Sequence, residues 1–429
     1  MEITSSTMVK PAHAVPRPLV GEKVPLTVFD RAALDIFVPT VLAYRAPAPS
    51  NEALREGLLK AVAPYPHLAG RLALDDQGRR FLHVNNEGVL LIEATVPVDL
   101  ADVLVDGRMA AVVEDLYPAI PEKNIGAALL QIQVRWSRGR HMLPSSRRRR
   151  PLHEHVFHRM GDGGARRKGL RDADPIPRPC ENHRTPKHAD AGVRPPVTGV
   201  HVWRRRHLCR RPHGQDKKPH GVTVHFTAEF VADLKAHVGA RCSRFQCLLA
   251  HVWKKITAAR DLKPEEYTKV RVAVNCRGRA DPPVPMDFFG NMVLWAFPRL
   301  QVRDVLNSSY GSVVGVIRDA VASIDDEYVQ YFVDFGGVAD ANGEELLATA
   351  ATAGTMFCPD AEVDSWLGFR FHQLDFGTGA PSAFIPPDLP IEGLMIFVPS
   401  CKANGGVDLF MAVAEEHVAA FEQICYSLD

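Results

Sequence analysis

Apolar positions keep a regular period through the first and last parts of the chain and lose it in between. From Glu52 to Val62, Leu54, Leu58, Leu59 and Val62 recur at helical spacing, which predicts an amphipathic helix. Tyr65-Pro66 ends it, because the residue before a proline is pushed out of the α region. Gly70 to Leu74 then reads as a strand entering a hairpin at Asp75-Asp76-Gln77-Gly78, with Phe81 to Val84 as the returning strand. Upstream, Leu26 to Tyr44 carries apolar patches bounded by Asp30 and Pro39.

Beyond residue 220 the regularity returns. Thr227 is placed to cap a helix running to about Val238, with Glu229 in its first turn. Ser243 opens a second helix, Phe245 to Arg260, whose Leu248, Leu249, Val252, Trp253 and Ile256 share one face. An apolar strand is predicted at Arg271 to Asn275, an extended stretch at Asn291 to Phe297, one long helix from about Tyr310 to Tyr331, and a strand at Leu394 to Pro399. These elements imply an α/β class with mixed strands, and 429 residues, 46% of them apolar, suffice for two domains.

The middle obeys different rules. From Val134 to Lys218 there are 23 Lys and Arg against 7 Asp and Glu, with nine His and hardly an apolar run longer than two. Composition alone makes such a segment disordered and basic. The formal net charge of +1 therefore hides an acidic remainder of 28 basic and 43 acidic residues. The expected division is an amino-terminal domain over 1–133, an aberrant basic segment over 134–219 and a carboxy-terminal domain over 220–429.

Several short motifs stand in the regular parts: Pro25-Leu26-Thr27 with Asp30; Tyr65-Pro66-His67-Leu68-Ala69-Gly70-Arg71-Leu72; Asn275-Cys276-Arg277-Gly278-Arg279; Pro282-Pro283-Val284-Pro285; Phe289-Gly290-Asn291; and Asp375-Phe376-Gly377-Thr378-Gly379. Together they resemble the plant BAHD acyltransferases, and within them the grass enzymes that move benzoyl or hydroxycinnamoyl groups from coenzyme A onto aromatic amines such as tryptamine. Two positions depart from the family pattern: Thr378, where tryptophan is usual in DFGWG, and Asn275, where aspartate is commoner. The resemblance implies a two-domain, chloramphenicol-acetyltransferase-like α/β fold with mixed sheets and a channel between the domains. It also implies acyl-CoA as co-substrate, no bound cofactor, and a small amine acceptor.

The family's HHxxxDG motif should follow Leu129-Leu130-Gln131-Ile132-Gln133, and in this reading frame it does not. Plausible codons for the odd segment, read one nucleotide later, restore it. Val134-Arg135-Trp136 as GTG CGG TGG yields Cys-Gly-Gly, and Pro144 to Arg150 yields His-His-x-x-x-Asp-Gly. Pro151 to Ala165 then continues as HSMSTFFTAWATAV, in which the single codon of Met160 supplies the tryptophan. A small deletion before Val134, with a compensating change near Lys218 to His220, accounts for the whole segment.

In the family, by resemblance, the second histidine of HHxxxDG is the general base, removing a proton from the acceptor as it attacks the thioester. Histidine suits the task because its pKa lies near the working pH. An alkylammonium acceptor must first lose a proton, at a cost of roughly 4 kcal/mol at pH 7. As it stands the chain also spells HxxxDG at His158-Arg159-Met160-Gly161-Asp162-Gly163, making His158 and Asp162 candidates. The flanks lack the apolar strand that would orient the ring, so the match reads as coincidence. Asp375 is the structural or catalytic residue of its loop by resemblance, and Asp375, Phe376, Gly377 and Gly379 are the candidate CoA-binding residues. Ser365-Trp366-Leu367-Gly368 and Phe371 read either as the wall preceding that loop or as aromatic core.

His153, His155, His158, Cys180 and His183 invite a zinc site, but no second pair at ligand spacing follows, so no metal is expected. Arg147 to Arg150 and Arg204 to Arg206 invite nucleic acid, yet aromatic interleaving is almost absent. A non-catalytic remnant whose basic centre binds polyanions is the alternative function. Eight scattered cysteines without a CxxC pair, and no signal-like or membrane-length apolar run, give the expectation of a cytoplasmic monomer.

Overall fold

A computed structural model of the chain describes residues 2–11, 19–33, 35–95, 117–136, 145–149, 200–202, 219–343, 346–348, 357–385, 389–402 and 405–428. Among these the chain runs β1 (Glu2–Val9), β2 (Lys23–Pro25), α1 (Val28–Arg31), β3 (Phe37–Ala43), α2 (Asn51–Val62), β4 (Arg71–Leu74), β5 (Arg80–His83), β6 (Val89–Thr95), β7 (Leu130–Trp136) and β8 (Ser145–Arg149). It continues through β9 (Val200–Val202), β10 (His220–Phe226), α3 (Ala228–Val238), α4 (Arg244–Ala259), β11 (Tyr267–Asn275), β12 (Val293–Ala296) and β13 (Arg299–Gln301). Then come α5 (Val302–Asn307), α6 (Tyr310–Ala322), α7 (Asp326–Ala341), β14 (Leu346–Ala348), β15 (Ala361–Ser365), β16 (Ala383–Ile385), β17 (Leu394–Pro399), β18 (Val407–Val413) and α8 (Glu415–Ile424).

Side-chain caps set most of the helix starts. Ser50, Thr227 and Ser243 each accept an orphan amide of the first turn, from Ala53, Phe230 and Gln246 respectively, and Gln246 answers Ser243 in a capping box. The five apolar residues predicted to share a face of α4 are all buried. The predicted long helix is two, α6 and α7, because Asp325 accepts from the amide of Tyr328 and begins a new helix after Ser323.

The chain packs into two units. One comprises Met1–His183, Pro285–Asn291 and Arg370–Asp388; the other comprises Arg184–Val284, Met292–Phe369 and Leu389–Asp429. The first holds a six-stranded sheet, β1-β6-β7-β8-β3-β16, with only β6 and β7 parallel, and a three-stranded sheet, β2-β5-β4. The second holds a seven-stranded mixed sheet, β10-β18-β17-β15-β11-β12 with β13 on β11, parallel at β11–β15 and β15–β17, and the pair β9–β14. The mixed α/β class is therefore present in both units. Among the described residues no helix is long and apolar enough to cross a membrane.

Two expectations are corrected. The carboxy-terminal part is not one contiguous domain: residues 285–291 and 370–388 belong to the first unit, because β16 extends the six-stranded sheet along β3 and Phe289 stacks on His67. The segment 134–219 is not disordered throughout. Val134 to Trp136 complete β7, Ser145–Arg149 form β8 between β7 and β3, and Val200–Val202 form β9. Main-chain ladders need only amides and carbonyls, so a strand forms there whatever its side chains. Residues 137–144, 150–199 and 203–218 lie outside the described residues.

Candidate functional site

Each motif in the regular parts folds into a specific local device. In the first unit Thr27 and Asp30 cap each other at α1: the Asp30 amide donates to Thr27 Oγ1 at 3.2 Å, and the Thr27 amide donates to Asp30 Oδ2 at 3.1 Å. The other oxygen of Asp30 accepts the amide of Asn291 at 2.7 Å. One carboxylate thus joins two motifs that lie 261 residues apart. His67, in the short 3-10 helix Pro66–Ala69, stacks on Phe289 with ring centres 4.5 Å apart, and burial pushes its imidazole down to about 4. Gly70 is required by close approach, since a Cβ there would sit 2.5 Å from the His83 carbonyl oxygen. Arg71 Nη1 donates to the Gly70 and Gly88 carbonyls at 2.7 and 2.8 Å, while its Nε faces Glu87 at 3.1 Å.

The second unit holds the Asn275 to Arg279 motif after β11. Asn275 Oδ1 accepts from the Arg277 amide at 3.1 Å and from its Nη1 at 3.3 Å, a role that any side-chain carbonyl oxygen at this position could fill. Arg279 Nη1 donates to the Val321 and Ile324 carbonyls at 2.9 and 2.7 Å, closing the end of α6. These hydrogen bonds give the motif a scaffold role.

The Asp375 to Gly379 loop belongs to the first unit. Asp375 Oδ1 accepts two amides, from Gly377 at 2.7 Å and Gly379 at 2.8 Å. Both glycines have positive φ, 96° and 112°, a region where a Cβ is strained. The carboxylate therefore acts as a local brace that turns the Gly377 and Gly379 amides inward, and the tip Gly377 to Ala380 is exposed. Thr378, at the tryptophan position, lies on that exposed tip. Phe371 is buried against Phe384 and Trp366 is buried beside Phe369, which favours the aromatic-core reading of both.

The candidates His158 and Asp162, with the zinc candidates His153, His155, Cys180 and His183, lie outside the described residues. Among the described residues no group of three or more metal-ligating side chains converges. His251 is buried in α4 with Nε2 2.7 Å from the Cys425 carbonyl and Nδ1 3.0 Å from the Tyr310 hydroxyl. A carbonyl can only accept, so Nε2 carries the proton, the tyrosine donates to Nδ1, and burial pushes the ring down to about 4. It is a structural histidine and not a base for a substrate. Sequence reading missed, among others, β1, β6, β10, β15, β18 and α8; the apolar run Leu409 to Val413 was the available signal for β18.

The description "Transferase family" fits residues 1–135 and 228–428 of this chain. Tryptamine benzoyltransferase 1 of Oryza sativa subsp. japonica is 56% identical over 450 residues, covering 100% of this chain and 98% of its own. Tryptamine hydroxycinnamoyltransferase 2 of the same plant is 50% identical over 459 residues, covering 100% and 99%. Among solved structures, vinorine synthase matches with a TM-score of 0.68 at 18% identity, over 98% of this chain and 96% of its own. A F. sporotrichioides protein complexed with coenzyme A and T-2 matches with a TM-score of 0.72 at 16% identity, over 94% and 97%. These two likenesses speak to the fold.

Proposed function

This chain belongs to the Transferase family, that of the BAHD CoA-dependent acyltransferases, and we propose that it moves a benzoyl or hydroxycinnamoyl group from coenzyme A onto an aromatic amine such as tryptamine. The observation that carries the reading is full-length identity of 50% or more to tryptamine acyltransferases. It favours acyl transfer over the polyanion-binding alternative. The free amine attacks the thioester carbonyl, a base takes the proton from the attacking nitrogen, and the tetrahedral adduct collapses to amide and CoA thiol. No acyl-enzyme is needed, so no nucleophilic Ser or Cys is assigned.

The base is the residue this chain as it stands does not supply. We assign the stretch from about Val134 to about Lys218 to a shifted coding register. Its charge composition supports this, as does the shifted translation, and the family description stops at residue 135 and resumes at 228. His158 and Asp162 then play no part in catalysis. Asp375 shapes its loop, with Phe376, Gly377 and Gly379 against the acyl-CoA. Cysteines scattered without a CxxC pair support a cytoplasmic location, and we take the chain to act as a monomer.

The test compares two purified proteins, the chain as it stands and one with this stretch translated one nucleotide later. CoA thiol release is followed with benzoyl-CoA or coumaroyl-CoA and tryptamine. The second protein is expected to turn over, and the first to be slower by about 10²- to 10⁴-fold, the usual worth of a positioned base. Equal rates, with a transcript that reads unbroken in the frame shown, would overturn the register assignment. No tryptamine-dependent thiol release from either protein would overturn the acyl-transfer reading.

A further inference from the structure

β3 ends at Ala43, and the residue after it, Tyr44, is 1% exposed. Its hydroxyl donates to the Leu374 carbonyl at 2.8 Å, and its ring lies 5.3 Å from that of Phe376. At the other end of the loop Ser382 donates to the Ala43 carbonyl from both its amide, at 2.7 Å, and its hydroxyl, at 3.0 Å. From there Ala383–Ile385 pair with Val41 to Ala43 as β16. Residues 375–381 therefore leave and return to two consecutive residues of the chain, Ala43 and Tyr44. Inside that clamp Asp375 braces the amides of Gly377 and Gly379.

The two anchors differ in kind. The Ser382 anchor is backed by a strand ladder, so the loss of one hydrogen bond leaves the others. On the Asp375 side the short 3-10 helix Phe371–Gln373 ends at Leu374, whose carbonyl accepts the hydroxyl of Tyr44, the residue after β3. The direction in which the Asp375 carboxylate enters the loop follows from where Leu374 is held. We propose that Tyr44 is a positioning residue for acyl-CoA binding, fixing through Leu374 the shape of the Asp375 to Gly379 loop; this rests on the assignment of that loop to the acyl-CoA above. The role proposed for Tyr44 is indirect. Its ring supports Phe376 and its hydroxyl sets the height of the loop's first turn.

The conservative variant Tyr44→Phe keeps the ring and removes the hydroxyl. In the full chain, binding of free coenzyme A is measured by titration calorimetry, and exchange of the Gly377 and Gly379 amides by hydrogen–deuterium exchange, in both variant and parent. Loss of one buried neutral hydrogen bond corresponds to a CoA Kd raised about 3- to 10-fold, with amide exchange at the two glycines faster to a similar degree. Val313→Ala, a core change in α6 of the other unit, serves as the control for simple destabilisation and is expected to leave the Kd unchanged. If coenzyme A protects the two amides in the parent, yet Tyr44→Phe alters neither exchange nor Kd, the role of Tyr44 is overturned and the loop assignment stands. If coenzyme A leaves both amides unprotected in the parent, the loop assignment falls and the proposal with it.

Discussion

In the carboxy-terminal unit Arg260 reaches into the core and meets Glu392 at 2.6 Å, while its Nη1 donates to the Pro359 and Asp360 carbonyls. The second oxygen of Glu392 accepts the Cys358 amide at 3.0 Å. Lys254 is buried too, and its ammonium donates to three carbonyls at the end of α5, those of Val305, Leu306 and Ser308. The six-stranded sheet of the first unit differs. There β7 carries Gln131, Gln133 and Arg135, and its neighbour β8 reads Ser-Ser-Arg-Arg-Arg, with no acidic residue on either strand. Both strands are interior to the sheet, a place normally taken by apolar residues. The contrast lies in how polarity enters a core, as matched charges in one unit and as polar residues along the middle of a sheet in the other. A buried charge is tolerated where specific acceptors or donors meet it, whereas the strand ladder itself needs only amides and carbonyls.

The largest effect should come from breaking a matched charge. Glu392→Ala leaves the buried Arg260 guanidinium without its counter-charge and should lower unfolding free energy by about 3 to 5 kcal/mol, read from urea denaturation. A cost below about 1 kcal/mol would mean the pairing is incidental. Next comes acid. His67 and His251 are held neutral by burial, with pKa lowered from 6.5 to about 4, so the unfolded chain takes up protons that the folded chain refuses. Their contribution is intact above pH 6.5 and is lost progressively as pH falls toward 4, about 3 kcal/mol for each histidine. Stability measured across that window should decline steeply, and less steeply in His251→Gln; an unchanged slope in the variant would remove His251 from the account.

The sequence discloses elements best where local signals agree. Thr227 and Ser243 begin their helices as capping chemistry requires, and the strand Leu394–Pro399 appears with the bounds its apolar run predicts. Asp325 was the signal that would have split the helix expected from Tyr310 to Tyr331, since an aspartate three residues before an amide can restart a helix as readily as ride on it. β1 was hidden because it is an edge strand of mostly exposed Thr, Ser and Glu, with no alternation to betray it. At the candidate site the glycine pattern of 375–379 foretold the positive φ angles, but the anchor at Tyr44 is a contact between residues 330 positions apart. Such long-range geometry leaves no trace in spacing.

The first unit is assembled from three stretches of chain, and its last strand, β16, is Ala383–Ile385. A ribosome must therefore translate nearly nine-tenths of the message before the edge of the first sheet can be completed, so this unit cannot finish folding during synthesis in the usual amino-terminal-first order. The side of β3 that will receive β16 waits open on the nascent chain in the meantime, and chaperone demand should track that interval.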